Sequence, residues 1–146
     1  DLYDLETVAL RYFNAYGPRQ TASDYSGVIS VFREQALAGD PITVDGDGSQ
    51  TRDFVHVEDI VQANLRAATT DHVGTAYNIG TGEETSIQAL AETIQGTVDT
   101  DSPIVHGEPR PGDIQRSRAD VTRARQHLGY EAEITLTDGL ATLFAE

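Results

Sequence analysis

Thr7-Val8-Ala9-Leu10-Arg11-Tyr12-Phe13 runs directly into Asn14-Ala15-Tyr16-Gly17-Pro18. The first stretch is β-branched, aliphatic and aromatic, as strands are. The second carries the Asn, Gly and Pro that end one. A strand over residues 7–14 feeding a turn is therefore predicted. Beyond the polar loop Gln20 to Gly27, Val28, Ile29, Phe32, Ala36 and Leu37 recur at helical spacing, and Gly39 stops the helix before Pro41. Ile42-Thr43-Val44 reads as a short strand, Asp45-Gly46-Asp47-Gly48 as a tight turn, and Thr51 to Val57 as the returning strand. Asp59 stands near the start of a helix continued by Ile60, Val61, Ala63, Asn64 and Ala67. Ala76 to Ile79 is a strand closed by Gly80-Thr81-Gly82, and Ser86 is placed to cap a helix from Ile87 to Ile94. A short strand at Ile104-Val105, a proline-rich ordered loop from Glu108 to Asp113, and helices over Val121 to Leu128 and Leu136 to Phe144 complete the chain. Strands alternating with helices and short links predict one mixed α/β domain over residues 1–146.

Composition narrows the function classes. No apolar run approaches the length that spans a bilayer, and the first residues do not form a signal segment. Ten cationic side chains, all of them Arg, face twenty-four acids, giving a formal charge of −14. Such a surface repels phosphate backbones, so nucleic-acid binding is not expected. Its self-repulsion is tolerable where salt screens it, which suggests a cytoplasmic protein of a halophilic organism. With no Cys there are no disulfides or thiolates. His56, His72, His106 and His127 lack ligand spacing and read as surface or supporting residues, with no metal expected.

Catalytic signals are weak. There is no serine in a nucleophile elbow and no Lys for a Schiff base or for assisting a Tyr. Glu83-Glu84 looks like solvated surface. Gly80-Thr81-Gly82 lacks the third glycine of a dinucleotide fingerprint and reads as a plain turn. Arginines are more informative, because Arg11, Arg19, Arg52 and Arg110 stand at strand ends or in Gly/Pro loops of a very acidic chain. An isolated Arg there is usually a surface ion pair. Arg52, in Thr51-Arg52-Asp53-Phe54-Val55-His56-Val57, and Arg110, in Pro109-Arg110-Pro111-Gly112-Asp113, are the two for which a binding role is favoured. Two guanidinium forks converging on a pyrophosphate would be the simplest purpose.

These blocks also carry a resemblance. Leu10-Arg11-Tyr12-Phe13-Asn14-Ala15-Tyr16-Gly17-Pro18-Arg19-Gln20, then Gly46-Asp47-Gly48 through Asp59, then Asn78-Ile79-Gly80-Thr81-Gly82, then Arg110-Pro111-Gly112-Asp113 with Ala119-Asp120, resemble the extended short-chain dehydrogenase/reductase family. Within it they are most similar to UDP-glucose 4-epimerase-like members, with 4,6-dehydratase-like members next. The resemblance implies a nucleotide-sugar, of the UDP-hexose kind, as ligand. It assigns Asn14 to the sugar or diphosphate, Tyr12 and Phe13 to the border of the nicotinamide pocket, and the amides of Val28 and Ile29 to the diphosphate. Ile42, Thr43 and Val44 would hold the base, Arg52 and Arg110 the diphosphate, and Asp113 the ribose hydroxyls. Asp59 and Asp120 would be structural caps. Ser117-Arg118 departs from the pattern where many members have a Tyr.

The resemblance further implies that the glycine-rich loop and the proton-transfer Tyr and Lys belong to an NAD-binding Rossmann half preceding Asp1. On that reading this chain is the C-terminal substrate-binding portion. It would be inactive by itself and would hold no NAD alone. Strand 7–14 would belong to the sheet of that NAD-binding half, and would stand here as an exposed edge inviting the missing half or a second copy. A free-standing nucleotide-sugar-binding module and a purely structural acidic domain are the other readings.

Overall fold

A computed structural model describes residues 5–20 and 27–145; most of the polar loop Gln20 to Gly27 lies outside them. The opening stretch is two strands rather than one, β1 (Val8–Tyr12) and β2 (Asn14–Tyr16). The division falls at Phe13. Its N–H donates to the Ile79 carbonyl at 2.9 Å, whereas that of Asn14 donates to the Asp53 carbonyl at 3.0 Å. The chain changes partners within one residue because successive amides of an extended strand point to opposite sides.

After α1 (Val28–Ala38) come β3 (Ile42–Asp45), β4 (Thr51–Arg52), β5 (Phe54–His56) and α2 (Val57–Ala67). β6 (Thr75–Ile79), β7 (Thr85–Ser86), α3 (Ile87–Val98), β8 (Ile104–Gly107), α4 (Thr122–Leu128) and α5 (Leu136–Phe144) follow. Four strand pairs result: β1–β6, β2–β5 and β3–β8 are parallel, and β4–β7 is antiparallel. The expected return of Thr51 to Val57 against Ile42 to Val44 does not form. Gly46 and Gly48 take left-handed φ values of 68° and 73°, and Gln50 Nε2 donates to the Asp45 carbonyl at 2.9 Å. The turn thus carries the chain away from β3. Asp53 then splits the returning segment, sending β4 to β7 and β5 to β2.

The first strand keeps one neighbour, so only one of its edges is exposed among the described residues. The crossover through α2 brings β6 back alongside β1 in a five-residue parallel register, Val8 opposite Thr75 through Tyr12 opposite Ile79. One edge of β1 is therefore paired, and its other edge has no strand partner among the described residues.

Two apolar clusters share β5. Phe54 joins Ile29, Phe32, Ile42, Val44, Leu90, Ile94 and Leu140, where α1, β3, α3 and α5 meet. Val55 joins Ile60, Tyr77, Ile79, Ala124 and Tyr130 around α2, β6 and α4. Alternation along one short strand therefore fastens the two halves of the core together. The helix ends follow local chemistry. Gly39 terminates α1 at φ 74°, and Ser86 Oγ accepts the Ala89 N–H at 3.1 Å to cap α3. Leu37, counted with the apolar helix positions, is instead exposed. No helix among the described residues is long and apolar enough to cross a membrane.

Candidate functional site

A cleft of about 180 Å³ opens above the first core cluster, lined by Asn14, Val28, Thr43, Arg52, Arg110 and Asp113, with Phe32, Asp45, Gln50 and Ile87. Its polar residues arrive from β2, β3, β4 and the loop after β8, so only the fold brings them together. The floor is apolar, built by Val28 and Phe32 of α1 and Ile87 of α3. Among the described residues α1 begins at this floor with no side-chain cap and no acid in its first turn, a setting whose dipole suits an anion.

Strand β3 shapes one wall. Ile42 and Val44 point into the core and are fully buried, while Thr43 and Asp45 face out. The Ile42 N–H donates to the Pro103 carbonyl on the β8 side, so in a parallel ladder the amides of Thr43 and Asp45 face the opposite, unpaired edge. Gln35 covers part of that edge: its Oε1 accepts the Thr43 N–H at 3.0 Å and its Nε2 donates to Thr43 Oγ1 at 2.8 Å. The Asp45 carbonyl is taken by Gln50, as above. The Thr43 carbonyl and the Asp45 N–H have no partner among the described residues. They form an acceptor and a donor side by side on a rigid strand edge.

The cationic wall is self-paired. Arg52 donates from Nη1 to the carbonyls of Thr51 at 2.7 Å and Ile114 at 2.5 Å, and its Nη2 meets the Asp113 carboxylate. Arg110 is far more exposed, and its Nε lies 3.9 Å from Asp45 Oδ2. Arg52 is thus pre-set and largely spent on its own loop, whereas Arg110 is free to swing. The loop is tied down by backbone bonds from Thr51 N–H to Gln115 O at 2.9 Å and from Ser117 N–H to Thr51 O at 3.2 Å. Arg116 grips Glu84, whose carboxyl is held below the usual range by that contact and by Thr51 Oγ1. Glu84 is therefore a fastener, not the idle surface acid expected.

Other expected residues lie elsewhere. Ile29, Ile42 and Val44 turn their side chains into the core, so any contact they make with a ligand is through backbone. Tyr12 donates its hydroxyl to Asn64 Oδ1 at 3.0 Å on the α2 side of β1, and Phe13 packs on the second core cluster. Neither lines the cleft. Asp59 is no helix cap: buried, it accepts the N–H groups of Glu133 at 3.0 Å and Ile134 at 3.2 Å, pinning the chain before α5. The cap on α2 is His56, also buried, whose Nδ1 accepts the Glu58 N–H at 3.3 Å. Asp120 is not the N-cap of α4 either, since Val121 stands there without a side-chain cap; from one residue earlier Asp120 accepts the Thr122 N–H at 3.0 Å. Among the described residues no cluster of three or more metal-ligating side chains forms.

Sequence reasoning passed over Asp53. Its side chain is fully buried and accepts the N–H groups of Thr81 at 2.8 Å, Gly82 at 2.9 Å and Ala119 at 3.0 Å, with Thr81 Oγ1 at 2.8 Å. It shapes the Gly80-Thr81-Gly82 turn and anchors the exit of the cleft loop. Gly80 is required there by proximity, since a Cβ would sit 2.7 Å from Ala119 Cβ and 2.8 Å from Asp53 Oδ2. The available signal was an acid directly preceding the apolar pair Phe54-Val55, where burial demands partners.

The NAD dependent epimerase/dehydratase family matches residues 1–80, more than half of the 146. The chain belongs to this family. Among relatives of this epimerase/dehydratase chain is the UDP-glucose 4-epimerase of Mycolicibacterium smegmatis, 44% identical over 97% of this chain and 45% of that protein. The fold superposes on the Thermotoga maritima UDP-glucose 4-epimerase, solved with UDP-glucose, at a TM-score of 0.94 with 37% identity, covering 98% of this chain and 46% of that one. The UDP-glucuronic acid 4-epimerase of Bacillus cereus, solved with UDP-glucuronic acid and NAD, matches at a TM-score of 0.86 and 31% identity over 94% of this chain and 44% of that one. The epimerase/dehydratase chain therefore spans somewhat under half the length of the relatives it matches.

Proposed function

We propose that this chain is the C-terminal, substrate-binding portion of an NAD-dependent nucleotide-sugar 4-epimerase-like enzyme, and that the cleft takes the nucleoside diphosphate of a UDP-hexose. The observation that carries this reading is the convergence of Asn14, Val28, Thr43, Arg52, Arg110 and Asp113 on one cleft. Each element of the ligand has a chemical counterpart there. The guanidinium groups and the α1 N-terminus suit the two phosphates. The Thr43 carbonyl and Asp45 N–H complement a base edge that carries an N–H beside a carbonyl. Asp113 and Asn14 suit ribose or sugar hydroxyls.

The described residues do not fit a dinucleotide cofactor of their own. The N–H groups of Thr81 and Gly82 are spent on Asp53, so neither is left to cradle a pyrophosphate. Redox chemistry is accordingly assigned to the rest of a longer enzyme, seated on the free edge of β1. Two-stranded parallel sheets need such cover, and Tyr12 at the end of β1 is half exposed. Titration of the chain with UDP and with UDP-glucose by calorimetry tests the reading: both should bind, with nearly equal affinity. Failure of UDP to bind, or loss of nothing in Arg52→Ala, would refute it.

A further inference from the structure

Both arginines of the cleft are opposed by carboxylates of the same cleft, Arg52 by Asp113 and Arg110 by Asp45. Four formal charges there sum to zero, within a chain whose net charge is −14. Resting on the nucleotide reading above, we infer that Asp45 makes anion binding in this cleft salt-activated: it competes with the ligand's phosphates for Arg110, and added salt strengthens the binding of a nucleoside diphosphate.

The geometry of Asp45 supports this. It sits on a strand fixed to β8 by four register pairs, and its own carbonyl is held by Gln50, so its backbone has a defined position on the cleft wall. Arg110 is carried on a proline-flanked loop tip and is mostly exposed. The pair is loose, at 3.9 Å, and half-solvated, so a phosphate can replace Asp45 as the partner of Arg110. The backbone keeps Asp45 on the cleft wall, so its carboxylate stays near the incoming phosphates. A fixed unit charge about 7 Å from another in water changes binding by roughly threefold, and more where the walls are apolar.

The sign of the salt effect follows from range. Contacts between guanidinium and phosphate are short and lie over an apolar floor, so salt screens them weakly. Repulsion from Asp45, from Asp113 once displaced, and from the chain's remaining net charge acts over longer distances and is screened almost fully once the Debye length falls to about 3 Å near 1 M. An ordinary arginine–phosphate site weakens as salt rises; this one should tighten.

The test is a calorimetric titration with UDP, and separately with inorganic pyrophosphate, in KCl from about 0.1 M to about 2 M, a span that collapses the Debye length. Circular dichroism at each salt restricts the comparison to folded protein. Wild type should bind UDP at least about fivefold tighter at the high end than at the low end. Asp45→Asn, an exposed and isosteric change, should bind roughly threefold tighter than wild type at low salt and show a flatter salt profile. Arg110→Ala should erase the gain made by Asp45→Asn. Wild-type binding that weakens steadily with salt, or an Asp45→Asn variant no tighter than wild type at low salt, overturns the inference while leaving the nucleotide reading in place. Absence of UDP binding at every salt overturns both.

Discussion

Replacing Asp53 by Asn is the sharpest test of how this fold is held. The carboxylate is fully buried, and each oxygen accepts two bonds, Oδ1 from Thr81 N–H and Oγ1 and Oδ2 from Gly82 and Ala119 N–H. An asparagine amide keeps the shape but turns one acceptor into a donor. Whichever way the amide is oriented, two donors then face an NH₂ group. Hydrogen bonds to a charged acceptor contribute about 1.5–3 kcal/mol each, so losing two costs roughly 3–6 kcal/mol. That is a large part of the 5–15 kcal/mol by which native domains typically exceed their unfolded states. With a urea slope of about 2 kcal/mol/M, the midpoint should fall by roughly 2 M. Urea unfolding followed by far-ultraviolet circular dichroism measures this. Thr81→Val is the companion variant; it removes one of the four bonds and should cost only about 1 kcal/mol. A midpoint for Asp53→Asn within about 0.5 M of wild type, or an effect no larger than that of Thr81→Val, would refute the view that this carboxylate organises the junction.

Other consequences are quickly checked. The Tyr130 and Tyr16 phenols are pushed well above their ordinary range, first by burial and then by the nearby charges of Asp59 with Asp53 or Asp138. Both must stay neutral in the folded state, so their contribution is complete below the unfolded tyrosine value near 10 and is lost as pH rises beyond it; alkaline titration of wild type should unfold it there, and Tyr130→Phe should blunt that loss while costing about 1 kcal/mol at neutral pH through its bond to the Gly80 carbonyl. Gly80→Ala should cost about 1–3 kcal/mol by overpacking against Ala119 and Asp53, read as a lowered thermal midpoint. Ser86→Ala should cost about 1 kcal/mol through the lost cap on α3, with the urea slope unchanged. Arg52→Lys should weaken UDP binding about tenfold, because one ammonium cannot hold Asp113 and two loop carbonyls together; an unchanged affinity would remove Arg52 from the site.

Much was legible in the residues themselves because the signals were local. The helical repeat from Val28, the stop at Gly39, the cap at Ser86 and the helix ending at Phe144 each depend on neighbours within a turn or two of the chain. The same holds for the likeness of the arginine blocks to a known family. Strand partnership was another matter. Thr51 to Val57 has the composition of a strand wherever it goes, and nothing inside it says that β4 will join β7, that β5 will join β2, or that β3 will wait for β8 sixty residues later to find its neighbour. Those pairings are non-local and are chosen by which arrangement buries Ile42, Val44, Phe54 and Val55 together. The cleft shares this dependence. Sequence alone determined that Arg52 and Arg110 were cations in need of a purpose. Tertiary structure decided that they sit in one cleft, that Asp113 and Asp45 oppose them there, and that Asp53, unnoticed among twenty-four acids, is buried, as Asp59 is. A carboxylate's burial is a property of everything packed around it, and no stretch of the chain carries that information by itself.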